Sequence, residues 1–281
     1  METIVLTEEN VFDYEEYLTP DVAENIGRQY YRGIVVTDAD DPVAGIVWKF
    51  RNNMKEGERE SHIEWLQASG EEAGEVLFGK YNEMIAEENV FKSTFCLPAR
   101  EGKEKKALLT ANGFSVKLTE GDVVLAKLSE IGEISFLKNA APSEEVMPLR
   151  LITQRGFNIA TRRMVNSGFF GLCEDISLLP RMFFENDISC YFDNDGVVNG
   201  LFLCHRTTSG RLVVELMAAI GAEHLKILVS LISAAYRKAS EIYPPETEVL
   251  IDRHNYASQA LVEKLFPESF GIPIYVGERQ E

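Results

Sequence analysis

The stretch from Arg211 to Phe266 constrains the chain most. Leu212-Val-Val-Glu215-Leu-Met217 is an apolar run interrupted by one carboxylate, the length and composition of a strand buried on both faces. Gly221 then opens a helix whose apolar residues fall at Leu225, Leu228, Val229, Ile232 and Tyr236, one face at helical spacing. Pro244-Pro245 stops it, because proline has no N–H to give to the helix ladder. Val249-Leu-Ile251 makes a second buried strand. Asn255 is placed to cap a further helix with Ala257, Ala260, Leu261 and Leu265 on its inner face. A helix joining two short buried strands is a crossover, which predicts that the strands are parallel.

The first half of the chain runs in the same order. Glu2–Phe12 reads as a strand, and a polar helix follows from Thr19 with Pro20 in its first turn. Tyr31–Thr37 and Val43–Phe50 form a hairpin around the Asp- and Pro-rich turn Asp38–Pro42. Ser61-His-Ile-Glu64-Trp-Leu66 is again a strand with an acid inside it. Gly70–Glu88 is a helix, Phe91–Leu97 a strand, and Lys103–Asn112 a helix closed by Gly113. A last hairpin is expected across Gly121. In the second half, Ser143–Asn166 is helical, and a hairpin turns at Asp193-Asn-Asp-Gly196 between Asp187–Phe192 and Val197–Cys204. Three landmarks recur in order at nearly constant spacing: Gly45 with Gly200, Glu64 with Glu215, and Phe114 with Phe266. That pattern predicts a duplicated domain, 1–135 and 136–281, joined near Ile131–Pro142.

A strand with an acid at its middle, a Gly-opened helix, a strand, then Asn255-x-x-Ser258-x-x-Leu261-x-x-Lys264-Leu-Phe266 resembles the acyl-CoA-binding core of the GNAT N-acetyltransferases. Asn112-Gly113-Phe114 followed by strands gives the first half the same resemblance. It implies an α/β fold of two tandem GNAT-like domains, each a mixed, mostly antiparallel sheet flanked by helices. It also implies acyl transfer from acetyl-CoA to an amine of a small molecule. In that family the thioester lies in the gap between two parting parallel strands, and the pyrophosphate sits on free N–H groups of the following helix. An acid on the strand takes the amine proton, and a hydroxyl on the last helix protonates the departing thiolate. Carried onto this chain, the resemblance makes Glu215 and Glu64 the catalytic acids. Met217, Ala219, Gly221, Ala222 and Asn255 become the cofactor-binding positions.

Both halves depart from the family loop Gln/Arg-x-x-Gly-x-Gly/Ala. The first half has Gln67-Ala-Ser-Gly70-Glu71-Glu72, with Glu75 following. Those acids suit a helix N-terminus but repel a pyrophosphate. The second half has Ala218-Ala-Ile-Gly221-Ala222-Glu223, with His224 and Lys226 nearby, and is the less hostile of the two. The donor is therefore expected at Gly221 and not at Gly70. The family's last-helix tyrosine falls on Leu109 and Val262, which carry no acidic proton. Tyr256 is a substitute, or a packing residue at the helix start. Each strand acid is either a base or a paired structural group, since an acid in an apolar strand is costly alone. Arg150, Arg155, Arg162 and Arg163 are an anion-binding cluster or a solvated helix face. Degenerate loops leave two other functions open: a non-catalytic binding protein, and an aminoacyl transferase of the Fem type.

A formal net charge of −17 argues against nucleic acid, which is bound by clustered Lys and Arg that displace counterions. It also counts against a charged-tRNA donor. Cys96, Cys173, Cys190 and Cys204 form no Cys-x-x-Cys pair, and the histidines at 62, 205, 224 and 254 show no metal-ligand spacing. No run is long and apolar enough to span a bilayer, and the N-terminal residues do not form a signal segment. The expectations are no metal, no membrane and a cytoplasmic location.

Overall fold

Two antiparallel meanders, each followed by a strand–helix–strand crossover, organise the described residues of the computed structural model, which are 1–53, 58–99, 102–135, 137, 143–169, 174–252 and 271–281. They fall into two units, Met1–Glu120 with Pro273–Glu281, and Gly121–Ile272. The chain begins with β1 (Glu2–Val5), the short helices α1 (Glu15–Leu18) and α2 (Pro20–Ala23), β2 (Tyr31–Asp38), β3 (Asp41–Asn53) and β4 (Glu58–Ala68). It continues through α3 (Glu71–Glu87), β5 (Val90–Pro98), α4 (Gly102–Ala111), β6 (Ser115–Lys127) and α5 (Leu128–Ile131). Then come β7 (Val146–Pro148), α6 (Gln154–Asn166), β8 (Cys190–Asn194), β9 (Val197–Arg206), β10 (Leu212–Ala219), α7 (His224–Ile242), β11 (Glu248–Asp252) and β12 (Gly271–Gln280).

In the first unit β1, β2, β3 and β4 pair antiparallel in succession, β4 pairs parallel with β5, and β5 pairs antiparallel with β12. In the second, β7, β8, β9 and β10 repeat that succession, β10 is parallel to β11, and β11 is antiparallel to β6. The two mixed sheets are therefore the same construction, and the parallel pair predicted from Leu212–Ile251 is present. Their last strands come from unexpected places. The hairpin expected at Gly121 is one continuous 13-residue strand, whose later part pairs with β11 at Val123–Lys127. The edge of β5 is filled instead by Ile274–Gln280 from the chain's C-terminal end. An extended conformation is open to glycine as to any residue, so Gly121 forces no turn once the neighbouring edge is taken. The sequence boundary at 135/136 thus lies inside the second unit, and the C-terminal strand sits in the first.

Packing follows from which strand faces are covered. All eight residues of β10 are buried. Val214 and Met217 face a layer with Leu228, Leu231 and Ile232 of α7, while Leu216 and Ala218 face a layer with Phe157 and Met164 of α6. The predicted face of α7 is turned by about one position: the buried apolar residues are Ile227, Leu228, Leu231, Ile232, Ala235 and Ala239, and Leu225 is 50% exposed. Gly200 explains the turn. A Cβ there would stand 2.6 Å from Ile227 Cγ2 and 2.8 Å from Leu231 Cδ1, so those side chains pack onto bare backbone. The helix ends at Ile242, before the two prolines. α6 starts after Thr153, whose Oγ1 accepts from Gly156 N–H at 3.1 Å. The first unit's core joins Ile46, Trp48, Leu77, Phe78, Tyr81 and Phe95, with the Trp48 and Tyr81 rings edge-on at 5.0 Å.

Candidate functional site

Glu64 and Glu215 hold the same place in their units. Along β3 and β4 the register passes from Val47↔Trp65 to Trp48↔Ile63, which leaves Glu64 as the extra residue of a β-bulge. Along β9 and β10 it passes from Leu216↔Leu203 to Val214↔Cys204, which leaves Glu215 as the extra residue. A bulge bends its strand and re-aims the extra side chain. In the first unit the parallel neighbour departs at the bulge. Pairing of β4 with β5 ends at Ile63↔Phe95, although β4 runs to Ala68. In the second unit β10 pairs with β11 at Leu212–Val214, and the chain from 253 to 270 lies outside the described residues.

Counting from the bulges also corrects one landmark. Gly45 lies two residues before Val47, whereas Gly200 lies three before Leu203. The glycines are out of register by one and face opposite sides of their sheets. Gly45 makes room for Trp65, whose ring carbon would be 2.8 Å from an added Cβ. The same count pairs two residues that no motif pointed to: Lys49 and His205 each lie two positions beyond the bulge partner. Lys49 is buried and ion-paired through Nζ to Glu64, which keeps one-third of its side chain exposed. His62 Nε2 lies 3.8 Å from the same carboxylate, and its Nδ1 bonds Thr94 Oγ1 at 2.8 Å. In the second unit His205 Nδ1 lies 3.0 Å from Glu215 Oε1, with only 2% of the glutamate side chain exposed. The Phe183 ring covers the imidazole at 4.8 Å. A hairpin register, had it been fixed, would have shown both Lys49 and His205 one strand across from the acids.

Beyond the bulges the two loops differ. In the first unit α3 begins at Glu71 directly after Gly70, with Glu71 and Glu72 in its first turn. A groove of about 800 Å³ lies over Gln67–Glu71 and is closed on the other side by Glu104, Lys105 and Leu108 of α4. The close fit of the two helices at Gly74, where an added Cβ would meet Leu108 at 2.5 Å, fixes that wall. In the second unit Gly221 adopts φ +108° with nothing within 4 Å of an added Cβ. The helix starts only at His224 and has no acid in its first turn. His224 Nδ1 is 3.0 Å from the Gly221 carbonyl, and Glu223 pairs with Lys226 at 3.4 Å. Met217 and Ala219 are buried in the α7-facing layer, and Gly221 and Ala222 are exposed. Asn255, Tyr256, Val262 and Phe266 lie outside the described residues.

The remaining candidates separate cleanly. Leu109 is fully buried in the first core and offers no proton. Arg150 is ion-paired with Asp187, while Arg155 and Arg162 stand on the exposed face of α6. Among the described residues no group of His, Cys, Asp and Glu could hold a metal, and no helix is long and apolar enough to cross a membrane. Cys190 and Cys204 are buried thiols. Burial pushes Cys204 up to about 12 against a hydrogen bond from Ser189 that lowers it, so the thiol stays protonated and unreactive.

No protein-family model matches this chain, and no curated protein does. Solved structures do. A tandem GNAT protein from the clavulanic acid biosynthesis pathway matches with a TM-score of 0.61 at 12% identity, over 99% of this chain and 98% of its own. A GCN5-related glucosamine N-acetyltransferase region in a fungal multi-domain GH3 β-N-acetylglucosaminidase matches at 0.60 and 9% identity, with 99% of this chain spanning 38% of that one. A probable N-acyltransferase from Enterococcus faecalis V583 matches at 0.55 and 11% identity, over 100% of this chain and 73% of its own. With two identically ordered mixed sheets, each bulged at an acid, the chain has the tandem GNAT fold.

Proposed function

We propose that the protein moves an acyl group, acetyl in the simplest case, from acyl-CoA to an amine of a small molecule, and that the second unit holds the donor. One observation carries this reading. β10 pairs in parallel with β11 at Leu212–Val214, is bulged at Glu215, and leads through Gly221 into a helix whose first turn bears no acid. In the first unit the equivalent loop presents Glu71 and Glu72, with Glu104 across the groove. Like charges a few ångströms from a pyrophosphate cost on the order of a kcal/mol at partly exposed sites.

The residues of the second unit fit an acyl-CoA. The positive φ of Gly221 and the open space beside it let backbone approach a phosphate closely, and the N–H groups of the following turn are suited to an anion. Bound there, the cofactor would supply the activated thioester. The chain's own part is to orient it along Leu216–Ala219 and to receive the proton of the attacking amine at Glu215. His205 Nδ1 stands 3.0 Å from that carboxylate, a polar neighbour for a group that is costly to bury alone. The amine nitrogen bonds to the acyl carbon, the C–S bond breaks, and the thiolate leaves. A thiol titrates near 8.5, so the departure proceeds without a tyrosine donor.

The test is a steady-state rate with acetyl-CoA and a panel of amines. Glu215→Gln is expected to slow turnover by about 10²–10⁴ with little change in acetyl-CoA affinity. Equal rates in the two proteins remove Glu215 from the mechanism. Binding without turnover for every amine favours a non-catalytic ligand-binding protein.

A further inference from the structure

One side of α6 is built into the core and the other carries arginines around an apolar residue. Phe157, Ala160, Thr161 and Met164 are buried. Arg155, Ile159 and Arg162 follow one another at i, i+4 and i+7 on the opposite side, all exposed, and span about 10 Å of helix. Ile159 keeps 61% of its surface in solvent. The same surface continues past the helix start. Arg181 donates through Nη1 to the carbonyls of Leu149, Arg150 and Ile152 at 3.3, 2.7 and 3.0 Å, and its backbone N–H donates to Gln154 Oε1 at 3.0 Å. These bonds pin the turn Arg181–Phe183 to the first turn of α6 and hold two more apolar side chains there in solvent, Leu151 at 55% and Met182 at 80% exposure. Single exposed apolar residues are ordinary; a group gathered on fixed backbone and rimmed by charge marks an interaction site.

The charge of this surface is opposite to that of the chain. The sequence holds 45 acids against 28 lysines and arginines, yet Leu149–Gly168 contains four arginines and no acid, and Ser177–Phe184 adds Arg181 and no acid. Arg150 is ion-paired with Asp187, and Arg181 is taken up by carbonyls. Arg155 and Arg162 remain exposed, and neither is ion-paired among the described residues. We infer that this surface docks an acidic amphipathic helix of a partner protein. The apolar side of that helix lies on Ile159, Leu151 and Met182, and its carboxylates reach Arg155 and Arg162. The extent of the charge selects the occupant. A helix with its side chains is about 10 Å wide and touches only the basic island. An anionic bilayer or a nucleic acid reaches past the island and, within a Debye length of about 8 Å, meets the acidic remainder of a chain of net charge −17. The inference does not depend on which unit holds the acyl donor.

The experiment titrates the full chain, labelled at its Ile, Leu and Met methyl groups, with a capped peptide of about 18 residues, long enough to be helical, that carries a leucine stripe at helical spacing flanked by glutamates. NMR shifts are expected at Ile159, Leu151 and Met182, with an affinity that falls as salt is added. Ile159→Ser should weaken the peptide about tenfold, and the double change Arg155→Glu with Arg162→Glu about a hundredfold. Both variants lie on exposed positions and should melt as wild type does. The same peptide with glutamine for glutamate should bind about tenfold more weakly than the acidic one. No shift, shifts confined to other methyls, or equal affinity in the variants overturns the inference. Two controls name the rival occupants. Tighter binding to phosphatidylserine vesicles through the same methyls makes the surface a membrane contact and overturns the inference. So does a dimer in sedimentation that Ile159→Ser dissolves, since the occupant is then a second copy of this chain.

Discussion

In the first unit Glu64 keeps a third of its side chain in solvent while its partner Lys49 is buried; in the second, Glu215 and His205 are both buried. The helix that follows is rimmed with acids in the first unit and free of them in its first turn in the second. The open volume is a groove of about 800 Å³ with charged residues on both walls in one and a small apolar cavity of about 50 Å³ in the other. One backbone construction thus carries two different electrostatic problems. The bulge and the strand succession belong to the fold; the charge at the helix start and the character of the space set the two units apart.

The largest expected effect tests whether the units are completed as described. Removing Pro273–Glu281 takes β12 from β5 and with it Arg279, whose guanidinium bonds the Asn112 carbonyl at 3.0 Å and lies 4.7 Å from the Phe114 ring centroid. Loss of about 4 kcal/mol or more is expected in the first unit, and Trp48 and Trp65, the chain's two tryptophans, should report it by fluorescence. Unchanged tryptophan emission and melting would break the assignment of β12. Next is the contrast of the two pairs at the bulges, Glu64 with Lys49 and Glu215 with His205. His205→Leu leaves a buried carboxylate beside an apolar side chain and should cost about 3–5 kcal/mol. Lys49→Met should cost about 1 kcal/mol or less, because Glu64 stays in contact with water. Equal losses in denaturant melts would erase the difference between the pairs.

Alkaline pH sharpens the same comparison with a smaller effect. Burial raises Cys204 from 9.0 to about 12 in the second unit. It raises Tyr81 from 10.0 to about 12 in the first, against hydrogen bonds with Ser61 and Ser93 that lower it. Both groups are raised on folding, so their stabilisation is complete below the unfolded values and is lost as pH climbs toward 12. Each group costs roughly a factor of ten in the folding equilibrium per pH unit in its window. The second unit should therefore begin to weaken from about pH 9, and the first, read by tryptophan fluorescence, about one unit later. Simultaneous onset contradicts the assignment.

Much of this was legible in the residues. An apolar run with one acid at Glu215 gave a strand buried on both faces, because only a central strand can cover eight consecutive residues. Pro244-Pro245 and Gly113 placed helix ends through backbone chemistry that acts locally. What failed was long-range. The exchange of last strands between β6 and β12 involves residues far apart in sequence, and Gly121 reads as a turn to any local rule. The one-residue mismatch of Gly45 and Gly200 appears only when the bulge is counted. The apolar face of α7 was read about one position off: Leu228 and Ile232 are buried as expected, Leu225 is exposed, and Ile227 and Leu231 pack on the bare backbone at Gly200. Lys49 and His205 carry no motif; their meaning lies in cross-strand register.

The assignment of the donor to the second unit is tested most directly by calorimetric titration of acetyl-CoA into the full chain, its Gly221→Val variant and its Gly70→Val variant. Gly221 has φ +108°, which a β-branched residue adopts only under strain, whereas Gly70 is extended at φ 164° with nothing within 4 Å of an added Cβ. The account predicts a single binding event in wild type, abolished by Gly221→Val and retained by Gly70→Val. Binding that survives at Gly221→Val and disappears at Gly70→Val would contradict it and move the donor to the groove of the first unit.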